Sequence, residues 1–434
     1  PRTIYKSIYK LTPGEIKTYD VRKKKFISDV NLNNTQPSLS NVWNKSDDIN
    51  ENIYKRLELS VAQTSMGIRN QSVLLSGGID SAAIFHHIKN KKTKAYSTRF
   101  KMYGFGDYSR VNEDSNLASK ICKVLRMSHQ NTLITPFRYV NNFDAAIYAL
   151  ESPIQSKSLP AYYCTFKHLH NDNNTVVFSG DGGDEVFAGY KHHLHHNWDT
   201  KLKALCVNNK VFKNEDLNMS HQEQLDYLNS WLPTDRLDRM DNLSKFLYIE
   251  RLNMLAEDFL TRSDKLGMAF SLECRFPMLN KIIKDYVDSI PMSIKLGNEA
   301  IYGMKPLLKN AYNNKIEPDE VLRRGKTGWR YPTDEMLIGI RKKPSTEYIN
   351  LFRRAPYIKV KNVMREWVRE QLNDPIIMEI FEYKHSDIDS KYICNYDWRE
   401  KGDSIFPNIG IKSQKELFSI LSFKSWFKQF NMSM

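Results

Sequence analysis

The sequence predicts an α/β fold with a doubly wound parallel sheet, followed by a mostly helical second half that packs on the sheet. Between residues 49 and 190, short apolar runs alternate with segments of helical periodicity. Such alternation is typical of parallel strands joined by crossover helices. Two of the runs end in glycine-rich turns that open a helix, and after residue 190 the strand signal fades.

The first 48 residues are predicted to form a strand pair and a linker ahead of this fold. Apolar and polar residues alternate on both sides of Pro13-Gly14, which favours two strands around a Pro-Gly turn. Residues 31–48 are rich in Asn, Ser and Asp, as expected of a linker. The chain starts at Pro1 rather than Met, and we expect it to be cut from a longer one.

The elements of the α/β part follow in order. Apolar residues at spacings of three and four predict a first helix at 49–68. Strands are expected at 72–75, 94–100, 132–134 and 175–178, and helices from residue 79, at 116–125 and at 140–150. In the second half, 246–259 and 281–290 have helical periodicity. Ligands of such sheets bind at the carboxyl ends of the strands.

The composition is that of an ordinary globular protein with a basic surface. Of the 434 residues 41% are hydrophobic and 26% charged, and the formal net charge is +14. Because the basic residues are spread along the chain, we interpret them as a Lys-rich surface with a basic cleft for a phosphorylated substrate, and we expect no nucleic-acid partner. Five separated cysteines without a Cys-x-x-Cys pair argue against disulfides or a zinc site and favour a cytoplasmic setting. No apolar run approaches the roughly 18 residues of a membrane span.

The segment Ser76-Gly77-Gly78-Ile79-Asp80-Ser81 follows a strand and opens a helix, which predicts a loop that cradles pyrophosphate. Glycine backbone can approach an anion closely, and a helix N-terminus attracts it. The two serines supply hydroxyl donors, whereas Asp80 needs a bridging cation such as Mg²⁺. The alternative is a plain strand-to-helix turn, since the G-x-x-x-x-G-K-[ST] motif is absent.

A second glycine-rich turn, Ser179-Gly180-Asp181-Gly182-Gly183-Asp184-Glu185, also follows a predicted strand. Its three glycines and three acids suit metal and phosphate binding better than packing. A buried acid cluster is costly unless a cation is present. The second turn therefore weakens the plain-turn alternative for the first.

These motifs resemble a known family. Residues 74–81, LLSGGIDS, look like the pyrophosphate loop of the N-type ATP pyrophosphatases, and residues 179–190, SGDGGDEVFAGY, are similar to the second motif of asparagine synthetases. Residues 260–277 resemble that family's helical signature, and RRGKTGW at 323–329 resembles its late lysine motif. The motifs stand in the family's order, and 417–430 looks like its closing helix.

The resemblance implies a domain organisation and a fold of the N-type ATP pyrophosphatase kind. Residues 1–48 would be the strand pair and linker from a missing N-terminal glutaminase domain. Residues 49–434 would be the synthetase domain, with its α/β part at about 49–190 and its helical part at about 191–434. The nitrogen would come from glutamine through that domain or from free ammonia.

Site roles follow from the resemblance at matching positions. The residues implied to bind ATP are Leu74, Ser76, Gly77, Gly78, Asp80, Ser81, Thr98, Ser179 and Gly180. Of these, Leu74 and Thr98 would hold the adenine by backbone contacts at the strand ends. Asp80 and Asp184 would also carry Mg²⁺. Asp181 would line the acceptor side and accept a proton from the amine, and Lys326 would neutralise charge on the phosphorus in the transition state.

The activity that the resemblance implies is an amide-forming ligase. ATP would adenylate the side-chain carboxylate of aspartate, and ammonia would then displace AMP to give asparagine. Two alternatives stay open: the same chemistry on a sugar acid, peptide or β-amino acid, and a non-catalytic remnant. The partners we expect are these small molecules and the glutaminase domain, and a homodimer stays open.

Three positions depart from the family pattern and bear on the acceptor's identity: Ala82, Asn112-Glu113 and Met278-Leu279-Asn280. The histidine-rich run at 191–196 invites a metal interpretation, but without a nearby cysteine we interpret it as an exposed polar segment. Glu273 and Arg275 are interpreted as a structural ion pair, and Trp329 and Trp426 as core residues.

Overall fold

The computed structural model describes residues 3, 5, 7–31, 42–88, 90, 92–101, 110–153, 156–194, 220, 222–226, 232, 237–297, 304–325, 332, 367–368, 370–380 and 411–430. Lys326 and Trp329, which the sequence singles out, lie outside these residues.

Near the start of the chain, β1 (Glu15–Asp20) and β2 (Lys25–Asn31) form an antiparallel pair with Ile16 opposite Val30. A strand pair is present, but the predicted Pro-Gly connection is wrong, because both strands follow Pro13-Gly14. Residues 21–24 join the strands, and Lys24 adopts a φ of 48° in that turn. Pro13-Gly14 makes a separate turn that leads into β1, closed by the Glu15 N–H bond to the Thr12 carbonyl (2.9 Å).

A parallel sheet of five strands follows, made of β3 (Gln71–Leu74), β4 (Lys94–Phe100), β5 (His129–Ile134), β6 (Val176–Phe178) and β7 (Glu273–Arg275). The order across the sheet is β5-β4-β3-β6-β7. From β3, strands β4 and β5 extend the sheet to one side, whereas β6 and β7 extend it to the other side. The topological switch point between β3 and β6 is where such sheets bind ligands. Strand β7 lies in the second half, which is predicted to be mostly helical. Its three residues are too few to show a strand periodicity in the sequence.

Helices cover both faces of the sheet. Those in the first half are α1 (Ile49–Thr64), α2 (Ile79–His87), α3 (Glu113–Leu125), α4 (Pro136–Asn141), α5 (Phe143–Leu150), α6 (Leu159–Asn171) and α7 (Gly183–Phe187). The predicted helix at 140–150 is thus two helices, and α6 was not predicted.

The helices of the second half are α8 (Asn242–Glu250), α9 (Thr261–Met268), α10 (Lys281–Ser289), α11 (Met292–Leu296), α12 (Pro306–Ala311), α13 (Glu320–Arg323), α14 (Pro375–Ile380) and α15 (Ile411–Gln429). A π-helical segment, Arg251–Leu260, joins α8 to α9. None of the helices in the described part of the chain combines the length and hydropathy that a membrane span requires.

The two largest clusters of buried residues in the described part of the chain lie one on each face of the sheet. One contains Ile53 of α1, Phe85 of α2 and Tyr286 of α10. The other contains Phe166 of α6 and Trp426 of α15, which confirms the core interpretation of Trp426. Each large side chain that is fully buried stabilises the fold by about 1.5–3 kcal/mol. This two-sided burial confirms the doubly wound prediction and fixes the strand ends that carry the site.

Candidate active site

The two glycine-rich turns lie against each other at the carboxyl ends of β3 and β6. A Cβ atom on Gly180 would stand 2.9 Å from the Ser81 nitrogen and 3.1 Å from the Asp80 Cβ. A Cβ on Gly183 would stand 2.4 Å from a carboxylate oxygen of Asp80. Side chains are therefore excluded where the turns meet, and motifs a hundred residues apart form one structure.

The first turn is held together by its own serines. Ser81 Oγ accepts from the Ser76 N–H (3.2 Å) and donates to the Gly78 carbonyl (3.2 Å). Gly77 has a φ of 73°, and a Cβ there would meet the Leu117 Cβ at 2.7 Å. Among the described residues no side chain caps α2. The first N–H groups of α2 can therefore serve an anion.

A cavity of about 650 Å³ opens above these turns. The predicted site residues that line it are Leu74, Ser76, Gly78, Asp80, Ser81, Thr98, Ser179, Gly180, Asp181 and Asp184. Gly77 shapes the turn without lining the cavity. The predicted catalytic Lys326 lies outside the described residues, and its neighbour Gly325 is part of the cavity wall.

Lys305 occupies the centre of the acidic region, and the sequence reasoning missed it. Its ammonium group forms ion pairs with Asp80 and with Asp184, the latter at 2.7 Å. Burial opposes the charge on Lys305, but the two carboxylates outweigh it and raise its pKa. Gly189 leaves room for this contact, since a Cβ there would lie 2.1 Å from the Lys305 Cε. The only sequence signal is a Lys-Pro step at the start of α12, which points to no chemistry by itself.

The residues present fit the predicted magnesium ion. Asp80 Oδ1 is buried and accepts no hydrogen bond within the described part of the chain. Carboxylate oxygens that flank a phosphate site are the ligands Mg²⁺ prefers. In this structure the ammonium of Lys305 neutralises both acids, and the metal role of Asp80 and Asp184 stays a prediction.

The wall beside β4 carries the predicted adenine contacts. The Thr98 hydroxyl shares a hydrogen bond with Thr165 of α6 (3.0 Å). Ser97 donates to the Leu75 carbonyl (2.5 Å), which ties β4 to the start of the first turn. These bonds occupy the side chains and fix the strand ends at which backbone contacts to a base are expected.

On the opposite wall, Asp181 is held by two hydroxyl groups. Ser179 donates to Asp181 Oδ2 at 3.0 Å, and Ser263 of α9 donates to the same oxygen at 3.2 Å. Ser263 belongs to the helical signature but was not named as a site residue. The arrangement orients the carboxylate toward the part of the cavity that α9 closes.

Beside Asp181, the same wall carries a pair of opposite charges, a buried arginine and a partly buried aspartate. Arg262 of α9 lies 3.4 Å from Asp258 and donates to Ser158 at 3.1 Å. Its guanidinium stands over the ring of Tyr162 at 4.8 Å and near that of Phe259 at 5.3 Å, which favours a cation. Burial raises the pKa of Asp258 despite Arg262. The π-helical segment brings Asp258 and Phe259 into the cavity, a common use of such segments.

Glu185 also lines the cavity, next to Asp184. Burial and the Asp184 charge raise the pKa of Glu185 to about 7, although a hydrogen bond from Tyr190 opposes the shift. The Tyr190 hydroxyl donates to Glu185 at 2.7 Å. A carboxyl whose pKa lies near neutrality can exchange protons during turnover.

The histidine-rich run differs from the exposed segment that was expected. His193 is fully buried, and both His192 and His193 contact the buried Glu250 at 2.5 and 2.6 Å. The Tyr190 N–H donates to His193 Nδ1 at 3.2 Å, which places the His193 proton on Nε2, the atom facing Glu250. That nitrogen is then a donor rather than a metal ligand, so the cluster is a hydrogen-bond network.

Glu273 and Arg275 of β7 form a structural ion pair, as expected. Arg275 pairs with Glu273 at 2.9 Å and donates to the carbonyl groups of Thr64 (2.6 Å) and Met66 (3.0 Å). The guanidinium thereby ties β7 to the end of α1.

Comparison with known proteins agrees with this geometry. The chain matches the family model "Asparagine synthase" over residues 52–387. It is 24% identical over 351 residues to "Asparagine synthetase [glutamine-hydrolyzing] 1" of Bacillus subtilis (strain 168), covering 69% of this chain and 49% of that protein. It is 23% identical over 330 residues to a "Putative asparagine synthetase [glutamine-hydrolyzing]" of Mycobacterium tuberculosis (strain ATCC 25618 / H37Rv), covering 65% and 48%.

A mammalian relative gives the same result. The chain is 23% identical over 282 residues to "Asparagine synthetase [glutamine-hydrolyzing]" of Cricetulus griseus, covering 64% of this chain and 42% of that protein. The chain thus spans about half the length of the curated relatives it matches.

Proposed function

This chain belongs to the asparagine synthase family, and on that premise we propose that its cavity binds ATP and activates aspartate for amide formation. The products are asparagine, AMP and pyrophosphate. The observation that carries the proposal is the meeting of both glycine-rich turns in one cavity, with Lys305 between Asp80 and Asp184.

ATP lies with its adenine beside Leu74 and Thr98 and its phosphates over the first turn. The N-terminus of α2 and the hydroxyl groups of Ser76 and Ser81 contact the pyrophosphate portion. Asp80 and Asp184 would hold Mg²⁺. When bound, that ion supplies positive charge that neutralises the phosphates.

In the first step, a side-chain carboxylate oxygen of aspartate attacks the α-phosphorus. The bond from this phosphorus to the bridging oxygen breaks, and pyrophosphate leaves with the electron pair. Negative charge grows on the phosphate oxygens, and the fixed ammonium of Lys305 stabilises it without reorganisation. Lys326 is assigned the same task at the α-phosphorus.

In the second step, ammonia attacks the acyl carbon and the bond to AMP breaks. The nitrogen must lose a proton, and Asp181 is positioned by Ser179 and Ser263 to accept it. Ammonia is supplied by a glutaminase domain of the full-length protein or from solution.

The charge pair Arg262–Asp258 favours an amino acid as the acceptor. The guanidinium can bind the α-carboxylate bidentately, and Asp258 can bind the α-ammonium group. Ser156, whose hydroxyl also contacts Arg262, and Ser158 complete a polar pocket. A sugar acid has no ammonium group that Asp258 could bind. We therefore rank a sugar acid below an amino acid as the acceptor.

The proposal is tested by pyrophosphate release from the purified protein with ATP, Mg²⁺, ammonia and a panel of acids. Release that requires both aspartate and ammonia, with asparagine detected by mass spectrometry, is the expected result. If pyrophosphate is released only with a different acid, that acid rather than aspartate is the acceptor, and the proposed adenylation chemistry is retained. No release and no ATP binding with any acid would identify a non-catalytic remnant.

A further inference from the structure

The pyrophosphate end of the cavity contains a second buried lysine, one helical turn after Lys305. Lys309 of α12 is 2% exposed and lines the cavity. Its ammonium donates to the carbonyl oxygen of Arg324 at 3.0 Å. One partner of the Lys309 ammonium group is thus a backbone carbonyl oxygen at the cavity wall.

Within the described residues, charged groups from three elements surround Lys309. Lys305 precedes it on the same helix, Asp80 projects from α2, and Arg324 follows α13. The Arg324 guanidinium is itself held by Asp114 at 2.5 Å. Burial and the positive charge of Lys305 lower the pKa of Lys309 to about 8, and Asp80 offsets this only in part.

From this placement we propose that Lys309 is a polyphosphate ligand that, in alkaline solution, gains a proton when ATP binds and loses it when pyrophosphate leaves. The neutral amine takes the proton from water, and the resulting ammonium group contacts the triphosphate. The inference rests on the proposed function in one respect, that ATP occupies this cavity. It adds that nucleotide affinity depends on pH through one lysine.

The sign of the effect follows from the direction of the shift. Below about pH 8 Lys309 is already charged, and ATP binding changes its protonation little. Above that pH the free site is mostly neutral at Lys309, so binding must add a proton and the affinity falls. At pH 9 about nine-tenths of the lysine is neutral, which predicts affinity about tenfold weaker than at pH 7.

The test is isothermal titration of the protein with MgATP at pH 9 in two buffers that differ in ionisation enthalpy. The terminal phosphate of ATP is fully ionised at this pH, since its last pKa is near 6, so the difference in heat reports protons taken up by the protein. We expect about 0.9 proton per ATP. Lys309→Arg, which stays charged, should bind MgATP without proton uptake and should lose the tenfold pH effect.

Lys315→Met is the matched control. Lys315 follows the same helix but lies over the ring of Tyr54, outside the cavity wall, and its removal should leave the proton uptake unchanged. Binding by the unmodified protein without proton uptake, or uptake that persists in Lys309→Arg, overturns the inference and leaves the proposed function intact. If MgATP does not bind at pH 7 either, the proposed function is overturned together with it.

Discussion

The ammonium group of Lys305 lies 2.7 Å from a carboxylate oxygen of Asp184, although 121 residues separate the two in the chain. The same ammonium contacts Asp80 of the first glycine-rich turn. One lysine from the helical half thus joins both glycine-rich turns. Several expected outcomes depend on this contact.

Lys305→Met should leave Asp80 and Asp184 as two buried carboxylates without their cation. Removing one partner of a buried ion pair destabilises a protein by about 3–5 kcal/mol. Because Mg²⁺ can replace the lost charge, we expect its addition to recover much of that stability. Urea unfolding with and without Mg²⁺ measures this, and Lys305→Arg is the control that keeps the charge. Equal stability of Lys305→Met with and without Mg²⁺ would contradict the metal role of the two acids.

Gly180→Ala should separate the two turns. Its new methyl group would stand 2.9 Å from the backbone nitrogen of Ser81, and backbone cannot move aside as a flexible side chain can. We expect destabilisation of about 1–3 kcal/mol and a loss of ATP binding measured by calorimetry. Gly325→Ala is the matched control for stability, since a Cβ there meets nothing within 4 Å of the described structure.

Arg262→Lys should weaken acceptor binding specifically. Lysine keeps the charge but cannot make a bidentate contact with a carboxylate. We expect the KM for aspartate to rise by about 10- to 100-fold, because the substrate carboxylate loses a hydrogen-bonding partner. The KM for ATP should change little. Steady-state kinetics with each substrate varied separately provide the measurement. A parallel rise in both constants would show that Arg262 supports the whole cavity instead.

Glu185 should make stability depend on pH. Its pKa is raised to about 7 from an ordinary value of 4.5, so the folded state favours the protonated form. The stabilising contribution of Glu185 to the free energy of unfolding is fully present below pH 4.5. It is lost as the pH rises through 7, by about 3 kcal/mol in all.

Glu185→Gln mimics the protonated form and still accepts the Tyr190 hydroxyl. Relative to the unmodified protein, the variant should gain stability between pH 5 and pH 8, as measured by urea unfolding at both values. A difference in stability that does not change with pH would contradict the assigned shift.

The sequence was sufficient for the first glycine-rich turn, whose signal is local. The turn at 76–81 was recognised because its glycines, serines and following helix are contiguous. Lys305 was missed because only the tertiary fold brings it to the acids, and its neighbours in sequence carry no motif.

Two other discrepancies have the same origin. Strand β7 is three residues long, and only pairing with β6 makes it a strand. The burial of His193 depends on Glu250, a residue 57 positions later. The turn at 21–24, by contrast, was local but was obscured by its run of basic side chains.

The pairing of β3 with β6, which sets Gln71 beside Val176, also determines when during synthesis the cavity can form. A chain growing on the ribosome has both acidic turns once residue 185 has emerged, yet Lys305 is still unsynthesised. Until it arrives, Asp80 and Asp184 repel each other and oppose closure of the turns. The acidic region of the cavity is therefore complete only after the second half, which carries Lys305, has been made.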